Sequence, residues 1–179
     1  MIKKLQIISD NEKNELLNFV NNNKHVLSNT KKLQDGKLIE DSNRQISGFL
    51  GFNFPDLAIT IQKRIREEFP FLQKEFDGFQ NGMTIGIINS PGDFYEHTDT
   101  KYKKDGLSVV GFNLLISKPE NGGVTHVEDI PYDIEENEML AYLISDYKHS
   151  VSKVFGNKPR ISWYWRFYVN KEQWENQTN

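Results

Sequence analysis

The sequence predicts a mainly β domain, a double-stranded β-helix (jelly roll) core with N-terminal α-helices packed outside it. The chain has 179 residues, a length that suits a single hydrophobic core. Helical periodicity is confined to residues 1–81. From residue 82 onward, short β-rich runs are separated by turn clusters such as NSPGD and KPENGG. Roughly eight short strands in this second half favour a sandwich or jelly roll.

Two amphipathic helices are predicted in residues 1–81, which we interpret as a helical support region. The first spans residues 9–22 and starts with a capping box, because Glu12 follows Ser9 by three positions. The second begins at about Pro55 and ends near Pro70. Between them lies a polar segment that is compatible with short strands or with a loop. Three glycines in it are turn signals: Gly36, Gly48 and Gly51.

The β-rich half, residues 82–170, is predicted to be the jelly-roll core, and residues 171–179 a polar tail. We therefore expect one domain over residues 1–179. The candidate strands are Met83 to Ile88, Asp93 to Thr98, Leu107 to Ser117, Val124 to Glu128, Ile130 to Ile134, Met139 to Ile144, His149 to Val154 and Arg160 to Val169.

Composition excludes several classes of function. The net charge is −3, so the chain has no excess of Lys or Arg for nucleic acid. It has no apolar leader at its start and no run of about 18 apolar residues, so we expect a cytoplasmic protein without a membrane partner. The sequence contains no cysteine, which excludes disulfides and thiolate ligands. Any metal must be bound by nitrogen and oxygen.

A candidate metal site begins with His97 and Asp99 in the stretch FYEHTDTKY. Residues two apart on a strand point to the same side, so this imidazole and this carboxylate can face one ion. A facial triad of two histidines and one carboxylate needs a second imidazole and leaves positions open for other ligands. The structural alternative is a pair of polar residues on a solvated edge.

The second imidazole could come from His126 or His149. An acidic stretch without a cation follows His126, whereas His149 is followed by Arg160 and Ser162. If an anionic co-substrate chelates the metal, a guanidinium must face its far carboxylate in a planar, bidentate pair. His149 meets that need. Arg166, six residues further along the same strand, is predicted to lie far from the site.

In this order, the motifs resemble those of the Fe(II)/2-oxoglutarate-dependent dioxygenases, in particular the prolyl 4-hydroxylase-like branch. SPGDFYEHTD, NLLISKPENGGVTHV and KHSVSKVFGNKPRIS are similar to the family's sequence around H-x-D, its paired glycines and its distal His with the following Arg. The similarity covers residues 82–169. One departure is that Ile88 and Asn89 stand where relatives often have a tyrosine that contacts 2-oxoglutarate.

The resemblance implies that His97, Asp99 and His149 bind Fe(II), with 2-oxoglutarate as co-substrate and O2 as oxidant. Its co-products would be succinate and CO2, and an unactivated C–H bond would be hydroxylated. Arg160 would bind the 5-carboxylate of 2-oxoglutarate. Two further residues are candidate co-substrate contacts: Ser162 and Asn89.

The primary substrate is left open between a protein side chain, an amino acid and a small metabolite, and so is the oligomeric state. Three residues are candidate substrate contacts: Tyr95, Tyr102 and His126. Residues 29–53 and 100–106 are candidate lids. The alternating aromatics Trp163 and Trp165 are more typical of a core than of a substrate cage. The alternative function is a non-catalytic, cupin-like jelly roll that binds a metal or a ligand.

Overall fold

The computed structural model describes residues 1–34, 37–47 and 52–177. Gly36, Gly48 and Gly51, which were predicted to mark turns, lie outside the described residues. The α-helices are α1 (Asp10–Asn23), α2 (Asp56–Glu68) and α3 (Lys171–Glu175). The strands are β1 (Lys3–Leu5), β2 (Ser28–Gln34), β3 (Lys37–Ile46), β4 (Met83–Ile88), β5 (Phe94–His97), β6 (Ser108–Ser117), β7 (Asn121–Gly122), β8 (Thr125–Val127), β9 (Ile130–Tyr132), β10 (Met139–Leu143), β11 (His149–Val151), β12 (Val154–Phe155) and β13 (Arg160–Val169).

Two antiparallel sheets form the jelly roll. The major sheet has the strand order β1-β10-β6-β13-β4-β3-β2, and the minor sheet has the order β5-β11-β8-β9. All eight predicted strands are present, with ends that differ by one or two residues, and the seventh is divided into β11 and β12. The predicted fold class is therefore confirmed.

The first 81 residues contribute more than helical support, because β1, β2 and β3 are part of the major sheet. The pairing of β3 with β4 places Arg44 opposite Ile88. The polar segment between the helices, which the sequence left open as strands or a loop, thus forms the β2–β3 hairpin over its described part. Strands made mostly of polar residues lack the alternation that makes a strand visible in sequence.

Helices α1 and α2 cover the outer face of the major sheet. The capping box of α1 is confirmed, since Ser9 Oγ accepts from the Glu12 amide and Glu12 Oε2 accepts from the Ser9 amide. Leu16 of α1 and Ile61 of α2 share one fully buried cluster with Trp163 and Trp165 of β13. No described helix is long and apolar enough to cross a bilayer.

The predicted polar tail is wrong for residues 171–175, which form α3. Trp174 of this helix is fully buried. Its ring lies 5.7 Å from that of Phe69 and 5.9 Å from that of Phe112, and its Nε1 donates to the carbonyl of Met1. One apolar residue in a polar stretch has no periodicity, so only its tertiary contacts identify it as part of the core.

Candidate metal centre and its cavity

The alternation of β13 builds one wall of a cavity between the two sheets. Residues 161, 163, 165, 167 and 169 face the helices, and the residues between them face inward. The cavity has a volume of about 180 Å³. Polar side chains from five strands of the major sheet line it: Arg44, Thr84, Asn113, Tyr142, Arg160, Tyr164 and Arg166. The inner face of this sheet is therefore polar where its outer face is apolar.

His97, Asp99 and His149 meet at the minor-sheet wall of this cavity. His97 ends β5 and His149 begins β11, and the two residues are paired partners in the sheet. Their rings lie 4.2 Å apart. Asp99 follows β5, where its amide donates to the carbonyl of Ile144. The sequence prediction that these three residues converge agrees with their placement, since one ligand atom from each lies within 4.8 Å of the others.

Both histidines are oriented by backbone carbonyls. His97 Nδ1 lies 3.0 Å from the Tyr95 carbonyl oxygen, and His149 Nδ1 lies 3.1 Å from that of Tyr147. A carbonyl can only accept a hydrogen bond, so each Nδ1 carries the hydrogen and each Nε2 keeps its lone pair. The Nε2 lone pairs are thus available on the side where Asp99 lies.

Burial keeps both imidazoles neutral near pH 7. Loss of solvent lowers the pKa of His97, and it lowers the pKa of His149 to about 4, with the charge of His97 adding to the effect. A neutral imidazole is the form that binds a metal ion.

The spacing of the donor atoms fits a metal ion better than direct contact. His97 Nε2 lies 3.8 Å from Asp99 Oδ1, and His149 Nε2 lies 4.0 Å from Asp99 Oδ2. These distances exceed a hydrogen bond and are below roughly 4.2 Å, twice a typical bond from a metal to nitrogen or oxygen. Two imidazoles and one carboxylate form the facial set that suits Fe(II), and they leave further coordination positions towards the cavity.

Arg160 lies buried at one end of the cavity, held by three hydrogen bonds. Its Nε donates to the Gly123 carbonyl at 3.0 Å, Nη1 to Ser162 Oγ at 2.6 Å, and Nη2 to Thr125 Oγ1 at 3.0 Å. A guanidinium has five N–H groups, so one hydrogen on each Nη is left for a carboxylate. Gly123 permits this approach, since a Cβ there would lie 3.3 Å from Arg160 Cδ and 2.6 Å from Pro119 Cγ.

The two other predicted co-substrate contacts have different positions. Ser162 is fully buried and bonds Arg160, but it is not among the residues that line the cavity. It therefore orients the guanidinium. Asn89 lies outside the cavity lining, just after β4, where its amide donates to the carbonyl of Asn43. Thr125, which the sequence analysis did not single out, takes a place beside Arg160.

Of the predicted substrate contacts, only Tyr102 lines the cavity. Tyr95 is 58% exposed. Its backbone carbonyl, rather than its phenol, contributes to the site by accepting a hydrogen bond from His97 Nδ1. His126 of β8 pairs with Ser150 and points away from its neighbours Thr125 and Val127, which are buried. His126 is not among the residues that line the cavity.

The prediction that Arg166 lies far from the site is wrong, because Arg166 lines the same cavity. It shares the inner face of β13 with Arg160, and the two-residue strand period could have identified it. Arg44 of β3, which sequence analysis also missed, lines the cavity with its guanidinium carbon 3.3 Å from the centre of the Phe94 ring. Burial lowers the pKa of both arginines, which nonetheless remain charged at neutral pH.

Comparison with known proteins identifies the fold. No family model and no curated protein sequence matches the chain. Among solved structures, a viral collagen prolyl hydroxylase from Paramecium bursaria chlorella virus-1, in its 2OG complex, is 15% identical with a TM-score of 0.63, over 94% of this chain and 96% of that one.

Two further structures extend the likeness. A prolyl hydroxylase from Trichoplax adhaerens, in complex with a hypoxia inducible factor peptide fragment, is 11% identical with a TM-score of 0.66, over 99% of this chain and 87% of that one. The non-heme alpha-ketoglutarate-dependent epimerase SnoN from nogalamycin biosynthesis is 10% identical with a TM-score of 0.69, over 94% and 78%. The chain therefore has the jelly-roll fold that these proteins share.

Proposed function

We propose that this protein is an Fe(II)- and 2-oxoglutarate-dependent oxygenase that oxidises an unactivated C–H bond. The observation that carries the proposal is the presence of a facial triad and a carboxylate-binding arginine in one cavity. His97, Asp99 and His149 offer the metal ligands, and Arg160 has two N–H groups left after its protein contacts. Two proteins of similar fold, a prolyl hydroxylase solved in its 2OG complex and an alpha-ketoglutarate-dependent epimerase, support the proposal.

The iron centre with its co-substrate supplies the oxidising chemistry: O2 and 2-oxoglutarate are converted to succinate and CO2 as one oxygen atom enters the substrate C–H bond. The protein binds and orients these partners. His97 and His149 would donate Nε2 and Asp99 a carboxylate oxygen, with both imidazoles locked by the carbonyls of Tyr95 and Tyr147. Such locking holds the ligands in place before the metal binds.

Arg160 would bind the 5-carboxylate of 2-oxoglutarate at the end of the cavity next to β8. Its fork is fixed by Gly123, Thr125 and Ser162, so little side-chain entropy is lost when the anion binds. Apolar side chains from both sheets complete the cavity and limit the access of water: Ile88, Phe94, Ile144 and Val151. In this setting a charge-assisted pair is stronger than in open solvent.

The alternative is a jelly roll that binds a metal or a ligand without turnover. A metal site alone gives no reason for a buried, cavity-lining arginine with two N–H groups left after its protein contacts, since a buried cation without a partner is costly. In an oxygenase of this kind, the 5-carboxylate of 2-oxoglutarate would be that partner. The proteins of similar structure include hydroxylases and an epimerase, so the fold alone does not identify the substrate or the exact oxidation.

The test is release of succinate from 2-oxoglutarate by purified protein with Fe(II) in air, together with metal binding followed by calorimetry. We expect slow succinate release even without the primary substrate. His149→Ala should abolish both metal binding and succinate release, because it removes a ligand. His126→Ala is the matched control and should retain both, because His126 points away from the cavity.

Two results would contradict the proposal. One is a wild-type protein that binds Fe(II) but never forms succinate at any 2-oxoglutarate concentration, which would favour the binding module. The other is loss of the ion in His126→Ala with retention in His149→Ala, which would overturn the assignment of the ligands.

A further inference from the structure

We infer that the primary substrate is a small molecule with a carboxylate group, which Arg166 binds together with Arg44. This inference rests on the proposed oxygenase function and names the class of its substrate. It starts from an imbalance of charge: three arginines line the cavity, and 2-oxoglutarate offers a distal carboxylate to only one of them.

The Arg166 side chain is held in a fixed position in the cavity wall. Its Nη1 donates to Thr84 Oγ1 at 2.7 Å. The guanidinium carbon lies 4.7 Å from the centre of the Phe79 ring and 5.2 Å from that of Tyr164. Aromatic faces on a guanidinium and one hydroxyl acceptor hold the group in place without neutralising it. N–H groups beyond the bond to Thr84 are left for an anion.

Arg44 approaches the same cavity from the neighbouring part of the major sheet. Its backbone lies in one row with that of Arg160, because both residues pair with Ile88 of β4. Its guanidinium extends from this row towards Asp99, whose charge acts on both Arg44 and Arg166. The Arg44 guanidinium stacks on Phe94, whose ring lies 4.2 Å from that of His97. This stacking places a second cation close to a metal ligand.

None of these three arginines forms an ion pair with a carboxylate among the residues that the structure describes. The ion pairs of the described residues involve other arginines, such as Arg64 with Glu12 and Arg66 with Glu75. With Fe(II) bound, the positive charge of the metal and the arginines exceeds the negative charge of Asp99. The two carboxylates of 2-oxoglutarate neutralise only part of this excess. Because desolvated cations without partners destabilise a fold, the arrangement calls for a further anion.

Arg166 and Arg160 are anchored at different places in the cavity. Their backbones lie roughly 20 Å apart along β13, and separate acceptors hold the two guanidinium groups. Arg160 is held by Gly123 and Thr125, whereas Arg166 is held by Thr84.

Arg166 also lies at the level of the metal centre. It pairs with Gly111, and Gly111 pairs with Tyr142, whose ring lies 5.4 Å from that of His149. A carboxylate on Arg166 would therefore place the adjoining carbon atoms of its molecule near the metal.

The size of the cavity limits what can carry this carboxylate. Its volume is about 180 Å³, below the roughly 300–1,000 Å³ typical of ligand pockets, and 2-oxoglutarate must occupy part of it. This small space favours a short carboxylic acid or an α-amino acid as the substrate. A peptide could insert only one side chain, and the test therefore distinguishes an acidic peptide from a small acid.

The test uses the full chain loaded with Mn(II), as a metal that suits the same ligands, and with 2-oxoglutarate under nitrogen. Thermal unfolding first establishes that Mn(II) and 2-oxoglutarate stabilise the protein. A panel of short carboxylic acids and α-amino acids is then added, each beside its primary amide, and an acidic peptide is added separately. We expect at least one acid to raise the melting temperature further, with no effect of its amide.

Variants of Arg166 and Arg44 test whether these residues bind the acid. Arg166→Gln should weaken binding of the acid by roughly thirty-fold or more, since it removes one partner of a buried charge pair. It should retain the stabilisation by Mn(II) and 2-oxoglutarate, which also shows that the variant is folded. Arg44→Gln gives an independent second variant with a loss in the same direction. Arg64→Gln is the control, because Arg64 pairs with Glu12 on the outer helices.

The outcomes separate this inference from the proposed function. If Mn(II) and 2-oxoglutarate do not stabilise the wild type, the proposed oxygenase function and the inferred substrate class are both refuted. If they do, but no acid binds, acids and amides bind alike, or only an acidic peptide binds, the oxygenase stands and the small carboxylate is refuted. An unchanged affinity in both Arg166→Gln and Arg44→Gln would also refute it.

Discussion

The two faces of β13 differ in what they contribute to the protein. Its outward residues are apolar and buried against α1 and α2: Ile161, Trp163, Trp165, Phe167 and Val169. Its inward residues are polar and belong to the cavity and its support: Arg160, Ser162, Tyr164 and Arg166. One strand thus joins the core of the fold to the candidate site, with alternate residues assigned to each.

This difference has an energetic reason. Apolar burial stabilises the fold by about 25 cal/mol per Å², and the outward face supplies it with large aromatic rings. The inward face contains buried arginines that form no close ion pair with a described carboxylate, although the charge of Asp99 acts on Arg166, and this opposes stability. We therefore expect changes on the outward face to alter the free energy of unfolding, and changes on the inward face to alter ligand affinity.

The largest expected effect is that of Trp165→Ala. Trp165 is fully buried, and its Nε1 donates to the Ala58 carbonyl at 3.1 Å. Replacement should lower the free energy of unfolding by about 3–5 kcal/mol, measured by denaturant titration. The affinity of the folded fraction for 2-oxoglutarate should stay within a factor of a few. A large loss of affinity at unchanged stability would show that the two faces are coupled.

Removal of residues 171–179 should have an effect nearly as large. Polar composition predicts a dispensable tail, whereas the contacts of Trp174 with Phe69 and Phe112 predict a loss of about 3 kcal/mol or more. Trp174→Ala in the full chain is the matched comparison and should account for most of that loss. A truncated protein with the melting temperature of the wild type would show that α3 does not stabilise the core.

On the inward face, Arg160→Ala should raise the half-saturating concentration of 2-oxoglutarate for succinate formation. The expected loss is about 2–5 kcal/mol, or roughly thirty-fold or more, with Fe(II) affinity nearly unchanged. Arg160→Lys should fall between, because it retains the charge without the planar fork. Arg64→Gln serves as the control. An unchanged half-saturating concentration in Arg160→Ala would show that the distal carboxylate binds elsewhere.

The smallest expected effect is that of Gly86→Ala on β4. A Cβ at this position would lie 2.9 Å from Tyr164 Cε2, so the Tyr164 ring, which lines the cavity, must move. We expect a cost of about 1–3 kcal/mol in stability and a few-fold loss of 2-oxoglutarate affinity, measured by thermal unfolding and calorimetry. Tyr164→Ala added to this variant should relieve the clash. If Gly86→Ala costs as much stability in the Tyr164→Ala background as in the wild type, the contact is not the cause.

The order and period of residues were sufficient to predict much of this protein. The strands of residues 82–170 were visible because apolar residues and turn clusters recur along the chain. H-x-D was visible because residues two apart on a strand share a side, and His149 was visible because Arg160 and Ser162 follow it. The same period applied to β13 would have placed Arg166 with Arg160.

Only the tertiary structure decided the remaining features. Residues from distant strands, such as Arg44 and Thr125, reach the cavity through sheet pairing, which a local pattern does not contain. The burial of Trp174 depends on Phe69 and Phe112, far away in sequence. The sequence by itself determined the jelly-roll strands and the candidate metal ligands, because both follow from local patterns along the chain. Long-range packing decided which charged residues lie together in the cavity, because charges interact through space whatever their separation along the chain.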